Sequence, residues 1–267
     1  MLYSRPSSRR SIPRRRSDPR PHSAHPTISV VIPVKDDDRE LAACLASLAA
    51  QWTPPTEIIV VDNGSSDHSA AVARGFDATL VTETRPGIAA AAATGYDHAT
   101  GDIIARLDAD CVAPLGWTDR ISSAFADDRD LTGITGGAVF HDGPRSLRRI
   151  GPVLYLGAYF VSMSAALGHV PLFGSNCAFR RSDWLAVRDD VHRSDLLVHD
   201  DVDLAVHLGP HRRIRFDPKL RMEISSRPLS EGFEGTVLRA RRGVHSLTIH
   251  WPDAAPHRRL IERIRSR

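Results

Sequence analysis

The feature that most constrains the fold is an alternation between Thr27 and Leu107. Short apolar, β-branched runs exchange with segments whose apolar residues recur at helical spacing. Ile28–Pro33, Glu57–Val61, Ala78–Val81 and Asp102–Leu107 read as strands, the first two as continuous buried runs of the kind found in parallel sheets. Between them, Asp38–Gln51 carries Leu41, Cys44, Leu45 and Leu48 on one helical face. Ser66 or Asp67 can cap a short helix running to Arg74, and Gly87–Thr100 is an alanine-rich helix. Strand-helix repetition of this kind predicts an α/β fold with a mostly parallel central sheet flanked by helices. Ligands of such sheets sit beyond the carboxyl ends of the strands. All four strands end there in polar groups: Lys35-Asp36, Asp62-Asn63-Gly64, Arg85, and Asp108 with Asp110.

Asp108-Ala109-Asp110 is the most chemically specific of these. In extended chain, residues two apart share a face, so the two carboxylates point together and Ala109 points away. Like charges so placed need a metal or another cation to offset them.

Further along, Gly133–Phe140 reads as a strand, and Arg213–Phe216 and Leu220–Ile224 as shorter ones. His199–Leu204 opens a helix, and residues 229–267 read as a basic helical extension. The stretch Ile150–Phe179 holds no Asp, Glu, Lys or Arg, but glycines, prolines and serines dilute it, so a buried or interfacial helix is expected rather than a membrane span.

Charge is distributed unevenly. The 267 residues carry a formal +3. Seven arginines against Asp18 give residues 1–26 a charge of +6, which leaves −3 for the remainder. That Arg/Ser/Pro-rich tail is expected to be disordered, because it cannot bury enough apolar surface to offset chain entropy. Contact with anionic lipid is its next most natural role. Cys44, Cys111 and Cys177 fit neither a disulfide framework nor a zinc spacing, which suits a reducing cytosol, and no secretory leader is visible.

Together the motifs resemble the family 2 glycosyltransferases. They are Ser29–Val34, Val60–Asp67, Leu107–Asp110, Gly174–Arg181 and Asp200–Leu204, in the family's order across about residues 27–225. The resemblance implies a GT-A fold and inverting transfer of a single sugar from a nucleotide-diphosphate sugar to a hydroxyl acceptor. It places Pro33, Val34, Asp36, Asp62, Gly64 and Ser65 around the donor's nucleoside, with Arg85 at the donor's edge. Asp62 can accept a base N–H, and Gly64 permits the sharp turn beside it. Asp110 is implied as the direct ligand of Mg²⁺ or Mn²⁺, and Asp108 as a second residue of the metal site, nearer the ribose or in the ion's outer shell. Such an ion would stabilise the departing diphosphate. Asp201 falls at the position of the general base that takes the acceptor's proton. Gly174, Ser175, Asn176 and Asp200 fall on the acceptor side. Arg180-Arg181 is read either as a phosphate contact or as a cap on the next helix.

The chain departs from the family pattern in four places, one of them Asp200, where Glu is more common. Ala91-Ala92-Ala93 stands where Ala-Arg-Asn is common. Glu223–Arg227 lacks the expected metal-binding histidine, and no Gln-x-x-Arg-Trp motif appears, which argues against a processive synthase. The expected organisation is a basic tail (1–26), a glycosyltransferase domain (27–228, with nucleotide half 27–112 and acceptor half 113–228) and an extension (229–267). The acceptor is expected to be lipid-linked or membrane-proximal, the location cytoplasmic at the inner membrane face, and nucleic acid is not an expected partner. Two other readings stay open: a sugar nucleotidyltransferase, and a non-catalytic binding protein on the same fold.

Overall fold

The computed structural model describes residues 25–142, 147–209, 212–227, 232–252 and 254–265. Most of the basic tail, and its expected disorder, lies outside the described residues.

Seven strands form one sheet: β1 (Ile28–Val34), β2 (Glu57–Asp62), β3 (Thr79–Thr82), β4 (Ile103–Arg106), β5 (Leu131–Phe140), β6 (Cys177–Arg180) and β7 (Arg213–Ile224), in the order β3-β2-β1-β4-β6-β5-β7. All neighbours pair in parallel except β6, which is antiparallel to both β4 and β5. The mostly parallel α/β sheet read from the sequence is therefore the observed one. It continues without a break from the nucleotide half into the acceptor half.

Alternation along β1 builds two apolar layers. Val30, Ile32 and Val34 face one way, onto helices α1 (Asp38–Ala49) and α4 (Trp117–Asp127); Val31 faces the other. On that second face α3 (Ile88–His98) lays its buried alanines against Val31 and Ile59, beside α6 (Arg181–Val187) and α7 (Asp200–Leu208). Ala91, Ala92 and Ala93 are thus buried between α3 and the sheet.

Two boundaries shift from expectation. β3 begins at Thr79 and its end residues are exposed, as suits an edge strand. Helix α2 (Ser69–Gly75) begins after Asp67, with His68 at the cap position. Asp67 still serves the helix start, because its Oδ1 accepts the Ser69 N–H at 2.9 Å while Oδ2 accepts the Asp38 N–H.

The apolar stretch forms the amphipathic helix α5 (Leu147–Leu167), with Leu156 and Leu167 buried and Val161 74% exposed. Among the described residues no helix is long and apolar enough to cross a membrane. Helices α8 (Gly232–Thr248) and α9 (Pro256–Arg265) pack against α7 and α5. Buried Arg259 donates to the Val206 and Leu167 carbonyls, which ties the C-terminal segment to the domain.

Candidate active site

The sheet topology brings most of the sequence-predicted residues to one edge. β1 and β2 end side by side, with Val34 in register with Asp62. Pro33 and Val34 are buried there. The Asp62 carboxylate accepts the Ser65 N–H at 2.8 Å, and Gly64 takes φ +79° between them. Asp36 adopts φ 52°, left-handed backbone that is uncommon for a residue with a side chain. It is held there by Ser66, whose N–H and hydroxyl both donate to Asp36 Oδ1, and by Ser65 Oγ, which accepts the Asp36 N–H. The Ser66 hydrogen bonds hold the Asp36 carboxyl below its ordinary pKa. Turn and carboxylates thus form one hydrogen-bonded shelf at the carboxyl ends of β1 and β2.

At the end of β4 a buried cation organises the acids. Arg106 has only 2% of its surface exposed. Its Nη2 meets Asp108 Oδ1 at 2.9 Å and its Nη1 meets Asp200 Oδ2 at 3.4 Å. One guanidinium therefore joins the Asp108-Ala109-Asp110 motif to the start of α7. Desolvation opposes its charge, but Asp200 and Asp108 more than compensate and raise its pKa. The other Asp108 oxygen accepts the Ser175 hydroxyl at 2.5 Å. Gly174 is required beside Arg106: a Cβ built there would sit 1.4 Å from Nη1. The Gly174 N–H donates to Asp201 Oδ2 at 2.8 Å, and Asp201 Oδ1 accepts the Val202 N–H. The two neighbouring acids of α7 are thus treated differently. Burial, reinforced by Asp201, pushes Asp200 up to about 7 even against Arg106. Asp201 is instead oriented by two backbone donors.

Asp110 has a different cation. The Arg227 guanidinium lies 2.9 Å from Asp110 and 2.7 Å from Asp37. Reciprocal backbone hydrogen bonds between Val112 and Glu223 draw the end of β7 alongside Asp110 and so place Arg227 there. Burial first, and then Asp108, raise the Asp110 pKa; Arg227 opposes them. A carboxyl crowded in this way favours added positive charge, so the donor set fits a hard divalent ion with Asp110 and Asp108 as ligands. Cys111 lies within the same cluster, but burial keeps its thiol protonated.

Three expectations are revised. Asn176 is fully buried: Oδ1 accepts the Trp117 indole N–H at 2.9 Å, and Nδ2 donates to the Gly137 and Leu220 carbonyls. It fixes the Gly174–Asn176 turn from beneath, so its amide is not presented to a ligand as expected. Arg180 donates to the Leu131, Phe125 and Asp128 carbonyls, and Arg181 to that of Ala99. Antiparallel β6 carries both to the end of the sheet away from Asp108, so neither is a phosphate contact. Arg85 turns its guanidinium onto Glu83 at 2.7 Å. It lines a cleft of about 1060 Å³ with Arg188, His192, Arg193 and Leu196, whose walls include neither Asp62 nor Asp108.

Sequence reasoning missed Arg106 and Arg227. An arginine inside the apolar strand Ile103–Leu107 was the available signal for the first, because a charge buried in a strand must be paired.

The fold has counterparts among known structures. A mannosyltransferase from Pyrobaculum calidifontis, solved with GDP-Man and Mn²⁺, aligns with TM-score 0.62 at 22% identity over 90% of this chain and 69% of that one. Glucosyl-3-phosphoglycerate synthase from Mycobacterium tuberculosis, solved with Mg²⁺ and UDP, aligns with TM-score 0.60 at 19% identity over 83% and 79%. The fold is that of the GT-A glycosyltransferases. Residues 29–187 match the family model for glycosyl transferase family 2, and the chain belongs to that family. Glycosyltransferase AglE of Haloferax volcanii is 34% identical over 120 residues, 42% of this chain and 40% of that protein. The undecaprenyl-phosphate 4-deoxy-4-formamido-L-arabinose transferase of Sodalis glossinidius is 35% identical over 116 residues, 40% and 36% of the two chains. Such matches span less than half the length of these curated relatives.

Proposed function

We propose that this chain is a metal-assisted, inverting glycosyltransferase that moves one sugar from a nucleotide-diphosphate sugar to a hydroxyl acceptor. The observation that carries this reading is Arg106. It holds Asp108, on the donor side, and Asp200, beside the candidate base, within one guanidinium's reach. Donor and acceptor carboxylates then share a rigid reference point.

Asp36, Asp62 and the turn at Gly64 would receive the nucleoside. Asp110 and Asp108 would hold Mg²⁺ or Mn²⁺, whose Lewis acidity stabilises charge on a departing diphosphate. Asp201 would take the acceptor hydroxyl's proton. Its two backbone hydrogen bonds leave lone pairs free for that contact, since a carboxylate offers about four acceptor sites. Gly174 and Ser175 would form the floor under the acceptor.

The acceptor is proposed to be lipid-linked. An apolar groove of about 1080 Å³ runs between α5 and the β5–β7 edge, walled by Phe140, Leu156, Phe160, Phe216 and Met222. It reaches Glu223, the residue paired with Val112 just beyond Asp110. The relative from Sodalis carries undecaprenyl phosphate in its name. A lipid-linked acceptor would place the protein at a membrane surface.

The test is product analysis with a panel of nucleotide sugars and Mn²⁺. Release of nucleoside diphosphate together with a glycosylated acceptor is expected, and free pyrophosphate would instead indicate a nucleotidyltransferase. Asp201→Asn should lower turnover about 10²–10⁴-fold while donor binding persists. Unchanged turnover would overturn the assignment of the base.

A further inference from the structure

We infer a second metal centre, separate from Asp108 and Asp110, in which Asp203, His192, His207 and His250 bind one Zn²⁺ ion and fasten the C-terminal segment to α7. Asp203 and His207 stand four residues apart on α7, and so share a helix face. His192 comes from the loop before α7, and His250 from the turn after α8. The four residues converge on one oxygen. Asp203 Oδ1 lies 2.8 Å from His192 Nδ1, 3.0 Å from His250 Nε2 and 3.4 Å from His207 Nε2. All four ligand atoms lie within 4.8 Å of one another.

A tetrahedral zinc with bonds of about 2.0–2.2 Å would set its ligand atoms about 3.3–3.6 Å apart. Asp203 Oδ1 lies at or just inside that spacing from all three imidazole nitrogens, at 2.8, 3.0 and 3.4 Å. The arrangement is also poorly explained as an ion pair. The Nε2 atoms of His207 and His250 are buried, and neither forms a hydrogen bond of good geometry, although both aim at Asp203. A cation at the centre would satisfy all four groups at once.

The chemistry selects the ion. Three imidazoles and one carboxylate suit zinc or a similar transition metal; Mg²⁺ and Mn²⁺ prefer oxygen-rich sites. Four protein ligands fill a tetrahedral shell, the pattern of a structural site with no position left open for catalysis. The surroundings are already braced: Asp203 Oδ2 accepts the His192 N–H at 2.7 Å, which holds the carboxylate in place. The seam continues through His245 to Asp195 at 2.7 Å and Ser246 Oγ to the His199 N–H. The ion would therefore steady the loop that leads into Asp200 and Asp201.

The test uses the full, untagged chain, stripped with chelator, loaded with ZnCl₂ and desalted. Bound zinc is counted by mass spectrometry and the melting temperature is followed alongside. One zinc per chain and a rise in melting temperature are expected, because an ion bound only by the folded state stabilises it by mass action. His250→Ala should abolish retention, and so should His192→Gln, a partly exposed position chosen because it disturbs folding least; circular dichroism confirms that each variant is folded. Asp110→Asn should retain the zinc. A chain that keeps no zinc, a folded His192→Gln that keeps it fully, or an Asp110→Asn that loses it would each overturn the inference.

Discussion

The Arg227 guanidinium, just beyond the end of β7, stands 2.9 Å from the Asp110 carboxylate. The protein thus brings its own cation to the carboxylate that would otherwise await a divalent ion. A divalent ion held there, as proposed, would compete with Arg227 for one carboxylate. Arg227→Ala should therefore tighten Mn²⁺ binding several-fold in the absence of donor, read as a lower half-saturation in a thermal-shift titration. Weaker or unchanged Mn²⁺ binding would show that Arg227 does not screen Asp110.

Arg106 is buried between Asp108 and Asp200, and both carboxylates depend on it. Arg106→Met keeps comparable bulk but leaves two acids without their shared counter-charge. A loss of about 3–5 kcal/mol in urea unfolding is expected, as for other broken buried ion pairs, together with loss of turnover. Near-native stability would mean that water replaces the guanidinium easily.

Gly174→Ala probes a contact defined by space alone. The added methyl would overlap Arg106 Nη1, so either the guanidinium or the loop must move. Overpacking of this sort costs about 1–3 kcal/mol. Because the Gly174 N–H also orients Asp201, the substitution should lower kcat more than it raises the donor KM. An equal effect on both would place Gly174 in donor binding.

Glu83 supplies a pH prediction. Hydrogen bonds from Arg85, then from Thr94, hold its carboxyl down to about 2 against burial, from an ordinary 4.5. A carboxyl whose pKa is depressed by folding stabilises the protein above its unfolded pKa. That stabilisation is complete above about pH 4.5 and fades as pH falls toward 2. Since Arg85 is half exposed, solvent screening limits the effect to about 1 kcal/mol. The stability gap between wild type and Glu83→Gln should be present at pH 6 and shrink at pH 3 in urea titrations. A gap that stays constant with pH would assign it to packing.

The parallel half of the sheet was legible because burial on both faces leaves continuous apolar runs, as in Ile28–Pro33 and Glu57–Val61. Asp108 and Asp110 stood out because two acids ending such a run have few other uses. Arg106 was hidden inside the same kind of run, since its partner Asp200 lies more than 90 residues away and no local spacing links them. Asn176 looked like a ligand-facing amide because small polar loops commonly contact ligands. That it lies beneath the loop depends on Trp117 and on the Gly137 and Leu220 carbonyls, three contacts that only tertiary packing brings together. The histidine cluster escaped notice for the same reason. His192 and His250 are 58 positions apart, and only the return of the C-terminal helices onto α7 unites them.

The reversed direction of β6 has a consequence for how such proteins diversify. A strand running with its neighbours would deliver its following loop to the catalytic edge; β6 delivers the loop that precedes it. Helix α5, with one wall of the apolar groove, therefore belongs to the connection between β5 and β6, whose far end is anchored by Asn176. Such a connection can change its length or its apolar character without altering the register of β1, β2 and β4. Under the proposed function, the surface that meets the acceptor can vary independently of the strand ends that would hold the nucleotide, as an interchangeable bit is swapped in an unchanging chuck.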